Sequence, residues 1–313
     1  MKRAAFTALL AGAAAVPRVV AAQPAPTVIR LGTAPVESYA LAFYGVDRGF
    51  FKAAGLDVQI TPFSGGGGVM AAAAGGALDV GCANVGAQAN AHDKGLPFSM
   101  IAPGGDYVTS SPTTVLAIAK NAPFRTGKDM NGKTIGVSTL KDLQQASVMK
   151  WVDANGGDAS TLKFLEIPVP NMAPALTAGR IDGACVLEPS LTYSKNDIRV
   201  LGKCYDAIAK RLSITTHFAN NDWLAKNPGA AHAFAKALGE TADWCNKNKV
   251  AAGTILAGIT KIPPETIAQM NRVVYADKLD PKTIQPVIDA TAEYKFLPKT
   301  FNVADMFWKE AAK

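Results

Sequence analysis

The sequence predicts an α/β protein of two lobes, each a mostly parallel sheet flanked by helices, followed by a helical C-terminal tail. Three observations support this: strand-like and helix-like segments alternate, the alternation restarts after Pro123, and one motif recurs 103 residues later. The 313 residues are 49% hydrophobic and 18% charged, so the chain can bury a large core. Because domains usually hold about 100 to 200 residues, the length favours two lobes.

The first predicted lobe starts with short apolar runs that alternate with Ala-rich or amphipathic stretches, the pattern of a βαβαβ unit. Strands are expected at 28–31, 58–63 and 78–83, and helices at 42–54 and 69–75. Gly55 should end the first helix, because glycine tolerates the left-handed conformation in which helices often end. Such tight connections suit a mostly parallel sheet.

The second predicted lobe follows Pro123, where strands at 133–137 and 162–167 enclose an amphipathic helix at 144–155. From Asn221 onward the pattern is helical without clear strands, so this tail is expected to pack on the lobes. Candidate tail helices are 229–248, 250–259, 263–275, 283–294 and 303–309, with Pro263, Pro264 and Pro281 at helix starts. The predicted division assigns residues 28–111 and 217–313 to one lobe and residues 112–216 to the other.

An internal repeat is the most informative feature of the sequence. Gly76-Ala-Leu-Asp-Val-Gly-Cys82 matches Gly179-Arg-Ile-Asp-Gly-Ala-Cys185 without gaps, at an offset of 103. The same offset pairs Gly68, at the start of an Ala-rich helix, with Asn171, which is expected to be an N-cap. The repeat favours two pseudo-equivalent lobes. The alternative is that a Gly-x-apolar-Asp connection is common wherever a helix returns to a parallel strand.

The N-terminus indicates an exported protein. Met1-Lys2-Arg3, an apolar stretch and Val20-Ala21-Ala22 together predict a signal peptide over residues 1–22. Its removal changes the net charge from +7 to +4, with 29 basic and 25 acidic residues remaining. No run of Lys or Arg suggests nucleic acid or lipid as a partner, and no apolar stretch reaches the ~18 residues of a membrane span. A monomeric periplasmic protein is therefore expected.

The four cysteines form no C-x-x-C pair, so the sequence has no zinc or redox motif. Cys82 and Cys185 occupy equivalent strands of different lobes and are expected to be free and buried. Whether Cys204 and Cys245 are bridged is left open.

Signatures of catalysis are absent from the sequence: there is no G-x-S-x-G, no H-E-x-x-H, no phosphate-binding P-loop and no G-x-G-x-x-G after a strand. None of the three histidines has metal-ligand spacing from another, so neither a metal nor a cofactor is expected. His217 follows a segment that should pass between the lobes and is a weak ligand-site candidate.

Polar loops at the C-terminal ends of strands are the expected binding site, because helix N-termini converge there in open α/β sheets. The glycines of Ser64–Gly68 would let backbone N–H groups approach an anion, although a glycine run is also a common flexible linker. Lys141 is the only cation in these loops. The candidate ligand-binding residues are Glu37, Ser38, Tyr39, Ser64, Gly65, Gly66, Asn84, Val85, Tyr107, Ser138, Thr139, Asn171, Glu188 and His217.

Nine short motifs occur in a fixed order along the chain: Ile29–Gly32, Val46–Lys52, Gly55–Val58, Phe63–Gly65, Gly76–Gly81, Gly95–Pro97, Asp129–Val137, Ala178–Asp182 and Glu188–Pro189. This ordered series resembles the sulfonate/nitrate/taurine-type periplasmic binding proteins of ABC importers. The resemblance implies the type II periplasmic binding protein fold, in which two lobes joined by two hinge crossings close on a ligand and dock to a permease.

The chain departs from this pattern in two places. Residues 137–141 read Val-Ser-Thr-Leu-Lys where many relatives have a Gly-Ser-Ser-like turn, and the first-lobe loop has four consecutive glycines. A related branch makes or binds a thiamine pyrimidine precursor. The synthases of that branch carry a cysteine-rich motif, which Cys82-Ala-Asn-Val85 does not reproduce.

The expected function is the capture of a small organic anion or zwitterion by the binding component of an ABC importer. Neutral donors suit a singly charged sulfonate or carboxylate, and Glu188 would suit the ammonium group of a taurine-like zwitterion. Alternatively, Glu188 only caps or pairs structurally, or Tyr39 and Tyr107 sandwich an aminopyrimidine or another aromatic ligand. Two rival classes are a secreted enzyme that uses Glu37, Asp106 or Glu188 as acid or base, and a protein-binding module with an exposed apolar patch.

Overall fold

The structure, a computed structural model, describes residues 25–310, and the predicted signal peptide at 1–22 lies outside these residues. Thirteen strands lie in the described part: β1 (Thr27–Thr33), β2 (Leu56–Pro62), β3 (Val80–Asn84), β4 (Phe98–Pro103), β5 (Gly105–Val108), β6 (Thr114–Ala119), β7 (Thr134–Val137), β8 (Lys163–Glu166), β9 (Gly183–Leu187), β10 (Ile198–Gly202), β11 (Arg211–Ser213), β12 (Thr215–Asn220) and β13 (Val274–Tyr275).

Twelve α-helices and five short 3-10 turns connect these strands within the same residues. The helices are α1 (Leu41–Asp47), α2 (Phe50–Ala53), α3 (Gly66–Ala74), α4 (Val85–Asp93), α5 (Leu143–Ala154), α6 (Val169–Thr177), α7 (Ser190–Tyr193), α8 (Asn221–Lys226), α9 (Pro228–Lys247), α10 (Lys249–Thr260), α11 (Pro264–Ile267) and α12 (Pro281–Glu293). The 3-10 turns are Glu37–Tyr39, Lys128–Met130, Ala159–Thr161, Cys204–Ala207 and Val303–Met306.

Two five-stranded sheets share one topology. The first has the order β2-β1-β3-β12-β4 and the second the order β8-β7-β9-β6-β10. In each sheet the first three strands are parallel, the fourth is antiparallel to its neighbours, and four of the five strands run in one direction. This confirms the predicted α/β class with mostly parallel sheets. We call each sheet, with the helices packed on it, the first and the second α/β unit.

The offset of 103 residues relates these units element by element. Adding 103 to the first and last residue numbers of α3 gives those of α6, and the same addition relates β3 to β9. Asp79 and Asp182 make equivalent hydrogen bonds in different sheets. The Asp79 Oδ2 atom accepts the Arg30 backbone N–H group at 2.9 Å, and the Asp182 Oδ2 atom accepts the Thr134 backbone N–H group at 2.9 Å. The Asp of the repeat therefore ties the returning strand to the first strand of its own sheet.

The prediction that Asn171 caps the second repeat helix is wrong. Helix α6 begins at Val169, its N-cap is Pro168, and Asn171 lies exposed in the first turn. Proline has no N–H group and a φ suited to helix starts, so Pro168 and Pro170 begin the helix before Asn171 is reached.

A small antiparallel sheet with the order β11-β5-β13 lies where the chain passes between the units. The chain leaves the first unit through β5 and returns through β11, and these two strands pair with each other. The following strand, β12, begins at Thr215, two residues before the predicted return at His217. In each unit, the antiparallel fourth strand is therefore formed by the chain directly after it has crossed from the other unit.

Two other predicted segments differ in the structure. The helix expected at 42–54 is divided into α1 and α2 by Gly49, whose φ of +76° interrupts the helical backbone. The helix expected at 263–275 ends early, and the tail supplies strand β13 because Val274 and Tyr275 pair with β5. Gly55 ends its helix as predicted, with a φ of +75°.

All four cysteines are free and buried, as predicted for Cys82 and Cys185. Cys204, whose pairing was left open, has its Sγ atom 3.9 Å from that of Cys185. None of the helices within residues 25–310 is both long and apolar enough to cross a membrane.

Candidate functional site

The candidate site is the place where the strand ends of the two units meet. We call it the strand-end interface and define it as residues 36–39, 65–67 and 84–90 of the first unit with residues 138–143 and 188 of the second. Direct contacts hold the two sides together near the crossing strands. The Glu37 N–H group of the first unit donates to the Glu188 carbonyl of the second unit at 3.3 Å. Within the second unit, the Glu188 N–H group donates to the Thr113 carbonyl at 2.9 Å.

The glycine loop forms one wall of this interface. Helix α3 begins at Gly66 without a side-chain cap, and Gly65 is extended and buried. A Cβ atom at Gly65 would lie 3.6 Å from the Ser138 carbonyl oxygen, and one at Gly67 would lie 3.3 Å from the Thr139 side chain. The loop is therefore packed against the second unit rather than serving as a free linker, while Ser64 remains exposed.

Two helix N-caps face each other across the interface. The Asn84 Oδ1 atom accepts the Ala87 N–H group at 2.8 Å and caps α4, while its Nδ2 group donates to the Asp142 Oδ2 atom at 2.7 Å. The Asp142 Oδ1 atom accepts the Gln144 N–H group at 2.9 Å and caps α5. This contact brings the positive ends of two helices together around one carboxylate.

Asp142 is fully buried, and burial raises its pKa to about 7. Hydrogen bonds from the Gln145 and Gln144 N–H groups and from Asn84 act in the opposite direction, while nearby Glu166 raises the pKa further. Asp142 is not among the site residues that the sequence predicts. Its position before a helix was the available signal, whereas its contact with Asn84, 58 residues away, was not readable from the sequence.

The α4 and α5 backbones approach very closely beside this contact. A Cβ atom at Gly86 would lie 2.6 Å from the Leu143 backbone nitrogen, which is closer than real Cβ atoms approach backbone atoms. The Asn90 Nδ2 group donates to the Lys141 carbonyl at 2.6 Å, and Lys141 itself has a positive φ of +56°. Glycine at position 86 is thus required for the two units to meet in this way.

Buried hydroxyl groups without hydrogen-bond partners mark the same region. Tyr39 is buried, and its hydroxyl oxygen would lie 3.0 Å from a Cβ atom at Gly66. Burial raises the pKa of Tyr39, so its hydroxyl is a neutral donor. The hydroxyls of Ser38, Thr113, Thr114 and Thr139 find no partner within residues 25–310. Since buried polar groups are normally paired, these oxygens are available to a ligand.

The two candidate glutamates are engaged elsewhere. The Glu188 carboxylate accepts the Thr192 hydroxyl at 2.8 Å, the Thr192 N–H group at 3.0 Å and the Asn271 N–H group at 3.3 Å. The Glu37 carboxylate pairs with the Arg272 Nε atom at 2.5 Å and accepts the Tyr44 hydroxyl at 3.2 Å. Burial raises the pKa of both carboxyl groups. Glu188 therefore caps α7 and ties it to the tail.

Tyr107 and Asp106 belong to the small sheet rather than to the strand-end interface. The Tyr107 hydroxyl donates to the Asp206 Oδ1 atom at 2.8 Å, and its ring packs edge-on against Tyr205. Asp106 accepts hydrogen bonds from Arg211 and Ser213. The geometry therefore does not make Tyr107 the partner of Tyr39 in a ring sandwich.

The remaining candidates are His217, Val85 and Asn171. His217 lies in β12 with its Nδ1 atom 2.8 Å from the Pro103 carbonyl, and burial lowers its pKa to about 4. Val85 is buried at the start of α4, and Asn171 is exposed on the second unit. No group of three His, Cys, Asp or Glu side chains between residues 25 and 310 is arranged to hold a metal ion.

The matching strand orders and the two crossings give the type II periplasmic binding protein fold that the sequence predicts. The family model described as NMT1/THI5 like matches residues 38–252, more than two thirds of the chain, and the chain belongs to this family. It is 27% identical over 135 residues to the nitrate/nitrite binding protein NrtA of Nostoc sp.. That alignment covers 41% of this chain and 30% of the relative, so the chain matches less than a third of that protein's length.

Solved structures share the fold over nearly the whole chain. The alkanesulfonate-binding protein SsuA from Xanthomonas axonopodis, bound to MOPS, has a TM-score of 0.74 and 18% identity and covers 92% of this chain and 99% of its own. The nitrate-binding protein NrtA from Synechocystis has a TM-score of 0.75 and 16% identity, covering 92% and 88%. The desulfurization enzyme DSZB also has this fold, with a TM-score of 0.66, 12% identity and coverage of 91% and 97%.

We predict that Gly86→Ala separates the two units, because the new methyl group meets the Leu143 backbone. Small-angle X-ray scattering should show a larger radius of gyration for this variant than for the wild type. Gly258→Ala is the matched control, since a Cβ atom there has no neighbour within 4 Å and both glycines are helical. An unchanged radius for Gly86→Ala would show that this close approach is not needed.

Asp142 should make stability depend on pH. The pKa of Asp142 is raised in the folded state. Its contribution to the free energy of unfolding is therefore fully present below about pH 4 and is lost as the pH rises through about 7. We expect the free energy of unfolding of the wild type, relative to Asp142→Asn, to fall by about 2 to 3 kcal/mol between pH 5 and pH 8. Urea unfolding at both pH values measures this. The exposed variant Asp57→Asn should keep the pH dependence of the wild type. A stability difference between the wild type and Asp142→Asn that is the same at pH 5 and pH 8 would contradict the prediction.

Proposed function

We propose that the protein is the periplasmic solute-binding component of an ABC importer and captures a small organic anion at the strand-end interface. The observation that carries the proposal is the meeting of two equivalent units at their strand ends, with helix N-termini and partnerless buried hydroxyls on both sides. The binding functions of the sulfonate- and nitrate-binding relatives, together with the predicted signal peptide, support this role and the periplasmic location.

In this proposal the two units are lobes, and the small sheet is the hinge between them. The lobes follow the predicted division, residues 28–111 with 217–313 and residues 112–216, except that the return to the first lobe is moved to Thr215, where β12 begins. The paired crossing strands β5 and β11 would absorb the change in angle as the lobes separate. A ligand that contacts both lobes then favours the closed form, which is the form that a permease would recognise.

The chemistry of the interface favours a singly charged anion. Its donors are neutral: the first-turn N–H groups of α3, the partnerless hydroxyls of Ser38 and Thr139, and the buried hydroxyl of Tyr39. Lys141, the only cation of the strand-end loops, is exposed. Doubly charged groups such as phosphate more often recruit an Arg fork. A sulfonate or carboxylate therefore fits these donors better than phosphate does.

A simple anion is favoured over the taurine-like zwitterion, because Glu188 already accepts three hydrogen bonds and has less capacity for an ammonium group. An aminopyrimidine is less favoured because the Tyr107 ring packs edge-on against Tyr205 and its hydroxyl donates to Asp206. The enzyme alternative has little support, since the carboxylates of Glu37, Asp106 and Glu188 are each held by a different set of hydrogen-bond partners.

Isothermal titration calorimetry tests this function with ethanesulfonate, acetate, nitrate, taurine, inorganic phosphate and an aminopyrimidine. We expect a singly charged anion to bind, and Thr139→Val to weaken that binding about tenfold or more, because a hydrogen bond to a charged group contributes about 1.5–3 kcal/mol. Thr254→Val, an exposed position on α10, is the control and should bind as the wild type does.

Heat from the aminopyrimidine alone would contradict the anion assignment while leaving a binding role intact. Equal affinities in the wild type and Thr139→Val would show that the anion binds outside the strand-end interface. If none of these ligands produces heat, the proposed ligand class is wrong.

A further inference from the structure

Two buried thiols lie side by side in the second unit. The Sγ atoms of Cys185 and Cys204 are 3.9 Å apart, and neither residue is exposed to solvent. Cys185 lies in the middle of β9, and Cys204 begins a 3-10 turn that packs on α5. The other two cysteines differ: Cys82 lies in the first sheet beside Thr33 and Thr215, and Cys245 lies in α9.

The surroundings make the two thiols chemically unequal. Burial disfavours a thiolate at both positions, but hydrogen bonds from Cys185, Ser147 and the backbone N–H groups of Tyr205 and Cys204 lower the pKa of Cys204. Burial and the interaction with Cys204 raise the pKa of Cys185. These contacts belong to the folded second unit, and in the open chain either thiol can begin thiol–disulfide exchange.

We propose that Cys185 and Cys204 form an intramolecular disulfide when the chain folds in an oxidising compartment. The geometry requires the two sulfur atoms to approach from 3.9 Å to about 2.05 Å. Both thiols are inaccessible in the folded protein, so oxidation takes place during folding, while the chain is still open. The inference goes beyond the proposed transport function and uses the periplasmic location only as the source of the oxidant.

The oxidant is a disulfide, either of a thiol–disulfide oxidoreductase or of oxidised glutathione. The Cys204 thiolate attacks one of its sulfur atoms, which forms a mixed disulfide and releases the other sulfur as a thiolate. That thiolate takes the Cys185 proton, and the Cys185 sulfur then attacks the Cys204 sulfur and releases the second thiol. The two cysteines lose two electrons and two protons in total, and the disulfide of the oxidant becomes two thiols.

The cross-link would close a loop from β9, the central strand of the second sheet, to the return crossing. That loop contains the Glu188 cap, α7 and β10, and the chain after Cys204 runs directly into β11. Closing it restricts the unfolded chain and fixes the segment that enters the small sheet. The disulfide therefore stabilises the second unit and leaves the other two cysteines as free thiols.

Thiol counting tests this on the full mature chain, refolded with a mixture of oxidised and reduced glutathione, then denatured and labelled with a maleimide. We expect two labelled thiols per chain, four after reduction, and a linked peptide pair containing Cys185 and Cys204 by mass spectrometry. The oxidised protein should melt several degrees above the reduced protein. Cys245→Ala is the control that should keep this difference in melting temperature, with one labelled thiol before reduction and three after it.

Cys204→Ser should label at three thiols with or without the oxidant and lose the redox difference in melting temperature. Four labelled thiols in the oxidatively refolded wild type, or a linked peptide that contains Cys82 or Cys245, would overturn the proposal. The count on the wild type is decisive even if a variant fails to fold, because labelling follows denaturation.

Discussion

The arrangement of the two units depends on the buried hydrogen bond between Asn84 and Asp142. Each side chain also caps its own helix, so one contact fixes the ends of α4 and α5 at the same point. The close approach at Gly86 and the hydrogen bond from Asn90 to the Lys141 carbonyl lie beside it. A carboxylate without partners would be costly at this depth, and the surrounding N–H donors offset part of that cost.

The topology explains how such a contact can form between distant parts of the chain. Each sheet takes its fourth strand from the segment that has just crossed, so the crossing strands are anchored in both units. A shared apolar cluster extends this anchoring, because Val36 and Tyr39 pack together with Val115 and Leu187. Hydroxyl groups without hydrogen-bond partners lie beside this apolar contact. An apolar surface combined with a few neutral donors is typical of small-ligand sites.

The sequence predicted the parts of the structure that local chemistry determines. The repeat offset of 103 predicted the equivalence of β3 and β9, and Gly55 marked the end of a helix. It did not predict that Glu37 would pair with Arg272, 235 residues away, because a carboxylate in a loop looks the same whether it meets a ligand or a distant arginine. Strand β13 was not predicted for a similar reason. Its two residues form a strand by pairing with β5, which lies far away in the sequence.

A crystal structure of the protein grown with ethanesulfonate would show where the anion binds and how far the units move. We expect the sulfonate oxygens to lie between the two units, within hydrogen-bond distance of the first N–H groups of α3 and of the Thr139 hydroxyl. A sulfonate bound elsewhere, such as in the surface groove lined by Lys249 and Arg272, would contradict it.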